Sequence, residues 1–260
     1  MNSVNRTLYI PLYGKAMVSR RGIILEDKKA ERIWEEGGFP LKGKAASKWL
    51  AYYMGMRSAV FDRWLRSKIA EHPDATVLHL GCGLDSRVER VGCGSGRWYD
   101  VDFPDVIRER QRFYRETDRY QMLAADLREE GWLRGITGTE AVAVLEGVSM
   151  YLSREELEAL LAELRERFER CWILMDVYTE FAARVSRYKN PVNEVGVTEV
   201  FGLDDPGKLA GNTGIRFLGG RCMTPEDLIG QLNRGEQILF RKLYAGSMSR
   251  KLYRLYEFEK

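Results

Sequence analysis

A glycine turn at Gly81-Cys82-Gly83 is the part of this sequence whose residue types and spacing best suit ligand binding. The surrounding segment, ATVLHLGCGLDSR at 75–87, passes from an apolar run to the turn and then to a polar helix start. This order predicts a strand, a tight turn and a helix. Glycine permits positive φ and close approach of a ligand, and a helix start presents unpaired N–H groups. We therefore expect a nucleotide-like ligand at the carboxyl end of this strand.

An acidic residue on the following strand strengthens this interpretation. The glycine pattern is GxGxD, with Ser86 in the place of the third glycine, so a connection that binds no ligand is also compatible with the turn alone. Asp102, at the end of GRWYDVD, lies 21 positions after Gly81. An acid at about 20 residues from such a turn can hydrogen-bond both ribose hydroxyls of an adenosine. Asp100 shares a strand face with Asp102, so spacing leaves both candidates open.

Two further acids follow predicted strands. Asp126 and Glu146 come directly after the runs that end at Ala125 and Leu145. The carboxyl ends of parallel strands lie along one edge of a sheet, so these acids should converge with the glycine turn on one crevice. Each acid alone could be a solvated cap. Three acids beside a glycine turn favour a cationic, hydroxyl-rich ligand over an anionic one.

Strand and helix patterns alternate from residue 75 onward. Apolar runs predict strands at Thr76–Leu80, Arg97–Val101, Gln121–Ala125, Ala141–Leu145 and Cys171–Val177. Helical spacing predicts helices at Ser86–Val91, Asp105–Tyr114, Arg128–Arg134 and Arg154–Glu169, the last behind a Ser153-to-Glu156 capping box. This alternation predicts an α/β fold with a mostly parallel sheet and helices on both faces.

The region before the first strand has helical character. Residues 1–70 predict an N-terminal helical cap, with helices at Glu26–Glu36 and Ser47–Ala70 packed on the sheet. Residues 71–260 form the remaining domain in this interpretation. The division rests on the change from helical spacing to strand–helix alternation near residue 70.

The C-terminal third has weaker patterns. Prolines and glycines over residues 180–220 predict a lid or insertion. Thr224 as N-cap and Pro225 at the first helical position predict a helix start. Two β-like runs, Gln237–Tyr244 and Leu252–Phe258, predict an antiparallel extension of the sheet, with a terminal helix as the alternative for the second.

Composition restricts the possible partners. The 260 residues predict one large domain, or one with a small addition, and the 41 basic and 38 acidic residues are interspersed, so nothing requires nucleic acid. The 4 cysteines show neither CxxC nor metal-ligand spacing. We expect a reduced, cytoplasmic protein without a metal, since the sequence shows no secretory h-region or membrane span. The sequence gives no indication of oligomeric state.

Six motifs resemble the leucine carboxyl methyltransferase family, in particular its bacterial polyketide-type O-methyltransferases. They are TLYIPLYGKA (7–16), MRSAVFD (56–62), VLHLGCGLDSRVER (77–90), WYDVDFPDVI (98–107), AADLRE (124–129) and LEGVSMYL (145–152). The motifs cover most of the chain, and the order LGCGLDSR, VDFP, EGVSMYL is specific; the 180–220 region matches poorly. The resemblance implies a Rossmann-like class I fold with a seven-stranded sheet, and S-adenosylmethionine as cofactor.

The resemblance also implies a set of cofactor-binding residues. They are Lys15, Arg57, Gly81, Cys82, Gly83, Asp102, Phe103, Asp126, Leu127 and Glu146. The two glycines would face the methionine part, and Asp102 of VDFP, rather than Asp100, would hold the ribose hydroxyls. Asp126 and Leu127 would flank the adenine, and Glu146 would lie near the amino group. Arg57, and more loosely Lys15, would bind the methionine carboxylate. Cys82 departs from the small alanine or serine common in the family.

The acceptor is less determined than the cofactor. Methyl transfer depends mainly on proximity, so no catalytic residue is assigned. Both histidines have structural interpretations, since His79 lies within a predicted strand and His72 ends a helix. A carboxylate acceptor needs no base, whereas a phenol generally does. This favours a carboxylate of a small molecule or peptide terminus, with a phenol or hydroxyl of a polyketide-type substrate as the alternative. Tyr151, Arg187 and Arg216 are candidate substrate contacts, equally compatible with a core ring and solvated charges.

Two other function classes share the predicted crevice. A nicotinamide-dependent oxidoreductase would use the same sheet, glycine turn and ribose acid. It is disfavoured by the missing third glycine and by acids where phosphates would lie. A non-catalytic module that retains the cofactor crevice is compatible with the same residues. The main hypothesis is therefore an S-adenosylmethionine-dependent O-methyltransferase.

Overall fold

Seven strands form a mostly parallel sheet in the order β3-β2-β1-β4-β5-β7-β6. They are β1 (Thr76–Leu80), β2 (Trp98–Asp102), β3 (Tyr120–Ala124), β4 (Glu140–Leu145), β5 (Arg170–Tyr178), β6 (Arg216–Arg221) and β7 (Tyr253–Glu259). Strands β1–β5 are parallel, and β7 runs antiparallel to both β5 and β6. The computed structural model describes residues 8–39, 41, 43–186, 200–246, 249 and 251–260. The α/β class and the parallel sheet are as predicted.

The strand order reverses between β1 and β4, because β2 and β3 lie on one side of β1 while β4 and β5 lie on the other. Connections from the carboxyl ends of β1 and β4 therefore leave in opposite directions and open a crevice between them. In open α/β sheets this switch point is where ligands bind. The sheet topology alone thus places the glycine turn after β1 beside the segment that follows β4.

Helices cover both faces of the sheet. They are α1 (Tyr9–Arg20), α2 (Lys28–Gly37), α3 (Lys48–Glu71), α4 (Arg87–Val91), α5 (Pro104–Arg110), α6 (Arg154–Arg167), α7 (Glu180–Ser186), α8 (Pro206–Thr213), α9 (Glu226–Ile229) and α10 (Arg234–Phe240). The capping box of α6 is present, with Ser153 and Glu156 each accepting a backbone N–H of the other. None of the helices in the described ranges has the length and apolar character needed to cross a bilayer.

Successive side chains along the strands point to opposite faces of the sheet and belong to two hydrophobic clusters, one on each face. Val77 of β1 packs with residues of α1 and α3 on one face. Leu78 and Leu80 pack with the apolar side of α6 on the other face. This period of two is the consequence of strand geometry. Helices α1–α3 share a cluster with the sheet, and the division of the chain at residue 70 stays a prediction.

Several predicted elements differ from the observed ones. Residues 9–20 form α1, which the sequence patterns did not reveal. The run Gln237–Tyr244, predicted as a strand, is α10 followed by a π-helical turn over 241–245, because a short apolar run does not distinguish helix from strand. The predicted helix Arg128–Arg134 is reduced to a short 3-10 turn, Trp132–Gly135. Leu252–Phe258 is confirmed as a strand and pairs antiparallel with β5.

The C-terminal third contains regular structure where a lid was predicted. Within 180–220, the described residues form α7, α8 and most of the edge strand β6. Pro225 occupies the N-cap of α9 rather than its first helical position, and no side-chain cap from Thr224 is formed. The prediction therefore missed that part of this region belongs to the sheet itself, since β6 supplies its seventh strand.

Candidate active site

A cavity of about 560 Å³ opens at the carboxyl ends of the parallel strands, at the switch point. The ten residues predicted to bind the cofactor all line it: Lys15, Arg57, Gly81, Cys82, Gly83, Asp102, Phe103, Asp126, Leu127 and Glu146. Eight of them lie at or just after the ends of β1–β4, whereas Lys15 and Arg57 come from α1 and α3. The structure therefore brings the whole predicted set together.

Positive φ angles shape the turn after β1, +66° at Gly81 and +52° at Gly83. A Cβ atom on residue 81 would lie 2.3 Å from Cγ2 of Val148, so only glycine fits there. The Gly83 N–H group donates a hydrogen bond of 2.8 Å to Oδ2 of Asp102, which joins the turn to the end of β2. Burial raises the pKa of the Cys82 thiol well above its usual range, so this thiol is no nucleophile at neutral pH.

Asp102 is a cavity carboxylate with spare acceptor capacity. Its oxygens accept hydrogen bonds of 2.8 Å from the N–H groups of Gly83 and Phe103. A carboxylate has about four acceptor sites, so about two remain for a ligand. Within the described part of the chain, Asp102 forms no ion pair. Burial raises its pKa to about 6, although the two backbone bonds and the charge of Arg110 oppose this.

Asp100, the alternative carboxylate on β2, is buried and bonded to side chains of the protein interior. It accepts hydrogen bonds from Tyr120 Oη at 2.7 Å and His79 Nδ1 at 3.0 Å, and it pairs with Arg110. Burial alone would raise its pKa, but Arg110 and His79 outweigh burial and lower the pKa to about 2. Asp100 is absent from the cavity wall that the described residues form. The geometry thus singles out Asp102 as the ribose candidate.

Glu146, in the cavity wall, lies between two arginines. Its Oε1 accepts a hydrogen bond of 3.1 Å from Arg57 Nε, and its Oε2 pairs with Arg87. Burial disfavours the ionised carboxylate, but Arg87, Arg57 and Lys15 outweigh burial and lower the pKa to about 2. Glu146 is therefore ionised at neutral pH, and its charge is balanced by its neighbours.

The wall carboxylates other than Asp102 are balanced by cationic neighbours, so the three strand-end acids do not make the cavity strongly negative. Asp126 pairs with Arg128, whose Nε lies 2.8 Å from Oδ1. Lys15 of α1 lies 3.3 Å from Asp85, a wall residue that sequence reasoning did not single out. The spacing of the acids was correct, but the partners of Glu146 and Asp85 come from helices α1, α3 and α4 and could not be read from strand ends.

Toward β5 and β7 the cavity wall becomes apolar and aromatic. This part carries Tyr53, Met54, Met150, Tyr151, Tyr178, Leu243, Tyr244, Leu252 and Tyr253. The ring centroids of Tyr53 and Tyr244 are 5.2 Å apart, and those of Tyr178 and Tyr253 are 5.0 Å apart. Burial raises the pKa of Tyr53, Tyr244 and Tyr253, so these phenols stay protonated at neutral pH. The surface suits an apolar acceptor.

The three predicted substrate contacts have different outcomes. Tyr151 lines the cavity, and Arg187 lies outside the described residues. Arg216 is misplaced by the prediction: it pairs with Glu259, and in register Glu259 faces Trp172 near the start of β5. It therefore lies at the opposite edge of the sheet from the cavity. Sequence patterns gave no direction for this edge strand, which explains the error.

Comparison with known proteins identifies the family. The family model for leucine carboxyl methyltransferase matches residues 5–165. The tetracenomycin polyketide synthesis O-methyltransferase TcmP of Streptomyces glaucescens is 30% identical over 221 residues, covering 84% of this chain and 82% of the relative. This chain belongs to the leucine carboxyl methyltransferase family. A second relative, the S-adenosyl-L-methionine-dependent methyltransferase dpfgK of Gibberella zeae, is 26% identical over 182 residues, covering 64% of this chain and 61% of the relative.

Solved structures share the fold of this methyltransferase. A methyltransferase structure from Thermobifida fusca matches 95% of this chain and 94% of its own, with a TM-score of 0.55 and 15% identity. Magnesium protoporphyrin IX methyltransferase of Synechocystis, with bound S-adenosylhomocysteine, matches 89% of this chain and 93% of its own, with a TM-score of 0.51 and 11% identity. The fold is therefore the Rossmann-like methyltransferase fold.

The cofactor of the methyltransferase is S-adenosylmethionine, as the family and its relatives establish. The oxidoreductase alternative is wrong, and so is the non-catalytic one. The described residues fit this cofactor in a way that does not depend on the comparison: an unpaired, desolvated carboxylate, Asp102, lies beside a glycine turn that leaves room for a ligand.

Two parts of the methyltransferase cavity escaped sequence reasoning. Helix α1 supplies Ile10 and Leu12 to the wall beside Lys15, which the family resemblance had already implied. The helix itself was not predicted, because Pro11 interrupts its helical pattern although proline is tolerated in a first turn. The π-helical turn after α10 supplies Leu243 and Tyr244. Such turns are rare and often occur at functional sites, and no sequence signal in this segment indicated one.

Proposed function

We propose that this methyltransferase transfers a methyl group to a carboxylate oxygen of an apolar small molecule. The observation that carries the proposal is the absence of an available general base on the described part of the cavity wall. A carboxylate is already ionised at neutral pH, so it can attack a methyl group without losing a proton. A phenol or alcohol has a proton that must be accepted by a group within reach.

Each potential base on the described wall is engaged elsewhere, and of its carboxylates Asp85 pairs with Lys15 and Asp126 with Arg128. Arg87 can only donate, so its 3.0 Å contact requires His79 Nε2 to accept; Nδ1 then carries the proton that faces Asp100. Burial is the main reason that the pKa of His79 is lowered. Glu146, with a pKa lowered to about 2 by its arginine neighbours against the effect of burial, is too weak a base. Asp102 is assigned to the ribose.

We assign the cofactor contacts as the family resemblance implies, and the geometry supports this. Asp102 has the open acceptor sites that two ribose hydroxyls require. Phe103 and Leu127 supply flat and apolar surface for an adenine between the ends of β2 and β3. Arg57 supplies positive charge for the methionine carboxylate toward β5. The remaining contacts, Lys15, Asp126 and Glu146, are proposed on resemblance and on their place in the cavity wall.

The acceptor class follows from the tyrosine-rich end of the cavity. Paired rings of Tyr53 with Tyr244 and of Tyr178 with Tyr253 present apolar faces to a ligand. An aromatic carboxylic acid suits this surface better than an extended peptide, whose amide groups would need hydrogen-bond partners. The relative TcmP is named for O-methylation in polyketide synthesis, which agrees with a small-molecule acceptor.

Transfer of a labelled methyl group tests the proposal. The protein is incubated with methyl-labelled S-adenosylmethionine and a matched set: naphthoic acid, naphthol and a peptide ending in leucine. We expect label on naphthoic acid, released by mild alkali because a methyl ester is hydrolysed. The rate should stay level between about pH 6 and 9, since such acids are ionised throughout that range.

The runner-up acceptor gives a different result. An alkali-stable label on naphthol, with a rate that rises toward the pKa of the phenol, would show ether formation and overturn the carboxylate proposal. Label on the peptide alone would overturn the small-molecule part. Binding of S-adenosylhomocysteine serves as the control for a folded cofactor site in each case.

A further inference from the structure

The guanidinium group of Arg57 is held from behind by side chains of β5 and β7. Its Nη1 donates hydrogen bonds of 2.9 Å to Oδ2 of Asp176 and 2.8 Å to the Tyr253 hydroxyl oxygen. Its Nε donates to Oε1 of Glu146 at 3.1 Å, and Nη2 forms an ion pair with the same atom at 3.1 Å. Three of its five N–H groups are thus used in these hydrogen bonds, and the orientation of the group is fixed.

Both carboxylate oxygens of Asp176 accept hydrogen bonds from neighbouring groups. Its Oδ1 accepts a hydrogen bond of 2.7 Å from the Gly147 N–H group, and its Oδ2 accepts one of 2.6 Å from the Tyr253 hydroxyl in addition to that from Arg57. Its side chain has no exposed surface, and it does not belong to the described cavity wall. Asp176 therefore cannot touch a ligand in the cavity, and any influence on binding must pass through Arg57 or Tyr253.

We infer that Asp176 and Tyr253 are positioning residues that hold Arg57 ready to bind the methionine carboxylate of S-adenosylmethionine. The inference rests on the proposed assignment of Arg57 to that carboxylate. A long arginine side chain loses rotamer freedom when it binds a ligand. Contacts that fix it in advance remove that cost from the binding step. The role of the pair is therefore to strengthen one specific ligand contact.

A purely structural role for the same pair predicts a different pattern. The bond between Asp176 and Tyr253 also joins β5 to β7, so its loss could weaken the cavity as a whole. General weakening would affect every adenosine ligand alike. A positioning role concerns only ligands that carry the carboxylate. The decarboxylated analogue of S-adenosylhomocysteine retains the adenosine and the amino group, and so separates the two roles.

The test compares S-adenosylhomocysteine with its decarboxylated analogue by calorimetry on the full chain. In Asp176→Asn, the NH2 group must face a donor, either the Gly147 N–H or Arg57, and the negative charge that holds Arg57 is lost in both orientations. We expect this variant to bind S-adenosylhomocysteine about tenfold more weakly or worse, and the analogue within about threefold of the original affinity. Tyr253→Phe keeps the ring and should show the same selectivity with a loss of about threefold.

Tyr256→Phe is the matched control. Tyr256 lies on the same strand, is buried, and has a hydroxyl that accepts a hydrogen bond of 3.0 Å from Arg254, but it lies outside the described cavity wall. We expect it to leave both affinities unchanged. Equal losses for both ligands in Asp176→Asn, or no loss for either, would overturn the inference.

The remaining outcomes are also decisive. If Asp176→Asn does not fold, the selectivity of Tyr253→Phe decides, and an unselective or absent effect there overturns the inference. If the unmodified chain binds both ligands equally, Arg57 has no carboxylate contact and the inference fails at its premise. None of these binding results bears on which acceptor oxygen is methylated, so the two proposals fail separately.

Discussion

Two aspartates on one strand face show how a partner decides the role of a residue. Asp100 and Asp102 lie two positions apart on β2, and burial acts on both. Arg110 and His79 overcome burial at Asp100 and lower its pKa to about 2. Asp102 has no such partner among the described residues, and burial raises its pKa to about 6. The first is therefore a structural charge, and the second is a carboxylate in need of a hydrogen-bonding ligand.

This difference predicts a pH-dependent affinity for S-adenosylhomocysteine. Ribose hydroxyls donate best to ionised Asp102, so affinity should fall as the pH drops through about 6. The decrease should level off near the loss expected for Asp102→Asn, because the side chain is then uncharged in both proteins. The Asp102→Asn variant should bind S-adenosylhomocysteine at least about tenfold more weakly at pH 8 and should lose this pH dependence. Calorimetry between pH 5 and 8 measures both effects, with the exposed Asp118→Asn as control.

The effect of Asp102 on the stability of the ligand-free protein depends on pH in the opposite direction. Because the folded pKa of Asp102 lies above its usual value of 3.8, its stabilising contribution is present below that pH and is lost as the pH rises through about 6.

An affinity for S-adenosylhomocysteine that is constant over this range would show that Asp102 does not contact the ribose.

At the scale of elements, helix α10 is anchored through a buried acid. Glu236 in its first turn accepts a hydrogen bond of 2.8 Å from Tyr52 and lies 3.2 Å from Lys48 Nζ. Arg21 adds a third contact at 3.4 Å. The π-helical turn that follows α10 places Tyr244 in the cavity wall. The anchor thus helps to position a wall of the proposed acceptor pocket without touching a ligand there.

We expect Glu236→Ala to reduce both stability and acceptor binding. Removal of the carboxylate leaves the buried Tyr52 hydroxyl without its acceptor, so the free energy of unfolding should fall by about 1–3 kcal/mol. The KM for the acceptor should rise while the affinity for S-adenosylhomocysteine stays constant. Urea unfolding and steady-state kinetics measure these quantities.

Glu226→Ala is the control for α10, because Glu226 forms an exposed ion pair with Arg241. Its loss should change the free energy of unfolding by less than about 0.5 kcal/mol. If Glu236→Ala and Glu226→Ala behave alike, the buried anchor has no special role and the position of the π-helical turn depends on other contacts.

At the scale of the whole molecule, the cavity unites distant parts of the chain. Helix α1, the turns after the parallel strands, and strand β7 all contribute to its wall. Residues near both ends of the described chain, such as Leu12 and Tyr253, face the same space. A ligand there would contact all of these elements at once.

Binding should therefore protect both ends of the chain together. At about 100 times its Kd, S-adenosylhomocysteine should raise the free energy of unfolding by about 2.7 kcal/mol. Hydrogen exchange should slow in α1 and in the turn after β1, whereas the edge strand β6 should exchange as before. Unchanged exchange in α1 on saturation would show that this helix does not cover the cofactor.

Much of this methyltransferase was predictable from local patterns. The limits of β1 were predicted as observed, and those of β2–β5 to within one residue at each end, because buried strands leave short apolar runs between turn residues. The glycine turn and the strand-end acids were found because parallel strands place their carboxyl ends at one edge. Helix α1 and the π-helical turn were not, since Pro11 and a short apolar run gave misleading local signals.

The sequence by itself determined the α/β sheet and the glycine turn with its strand-end acids, since these follow from neighbours along the chain. The other residues proposed for the cofactor came from the family resemblance. Only the tertiary structure decided which charges are available to a ligand. Arg57 meets Asp176 and Tyr253 across 119 and 196 positions of sequence. The sequence does not show whether a carboxylate or guanidinium group has a charged partner, because the partner comes within hydrogen-bond distance only when the chain folds.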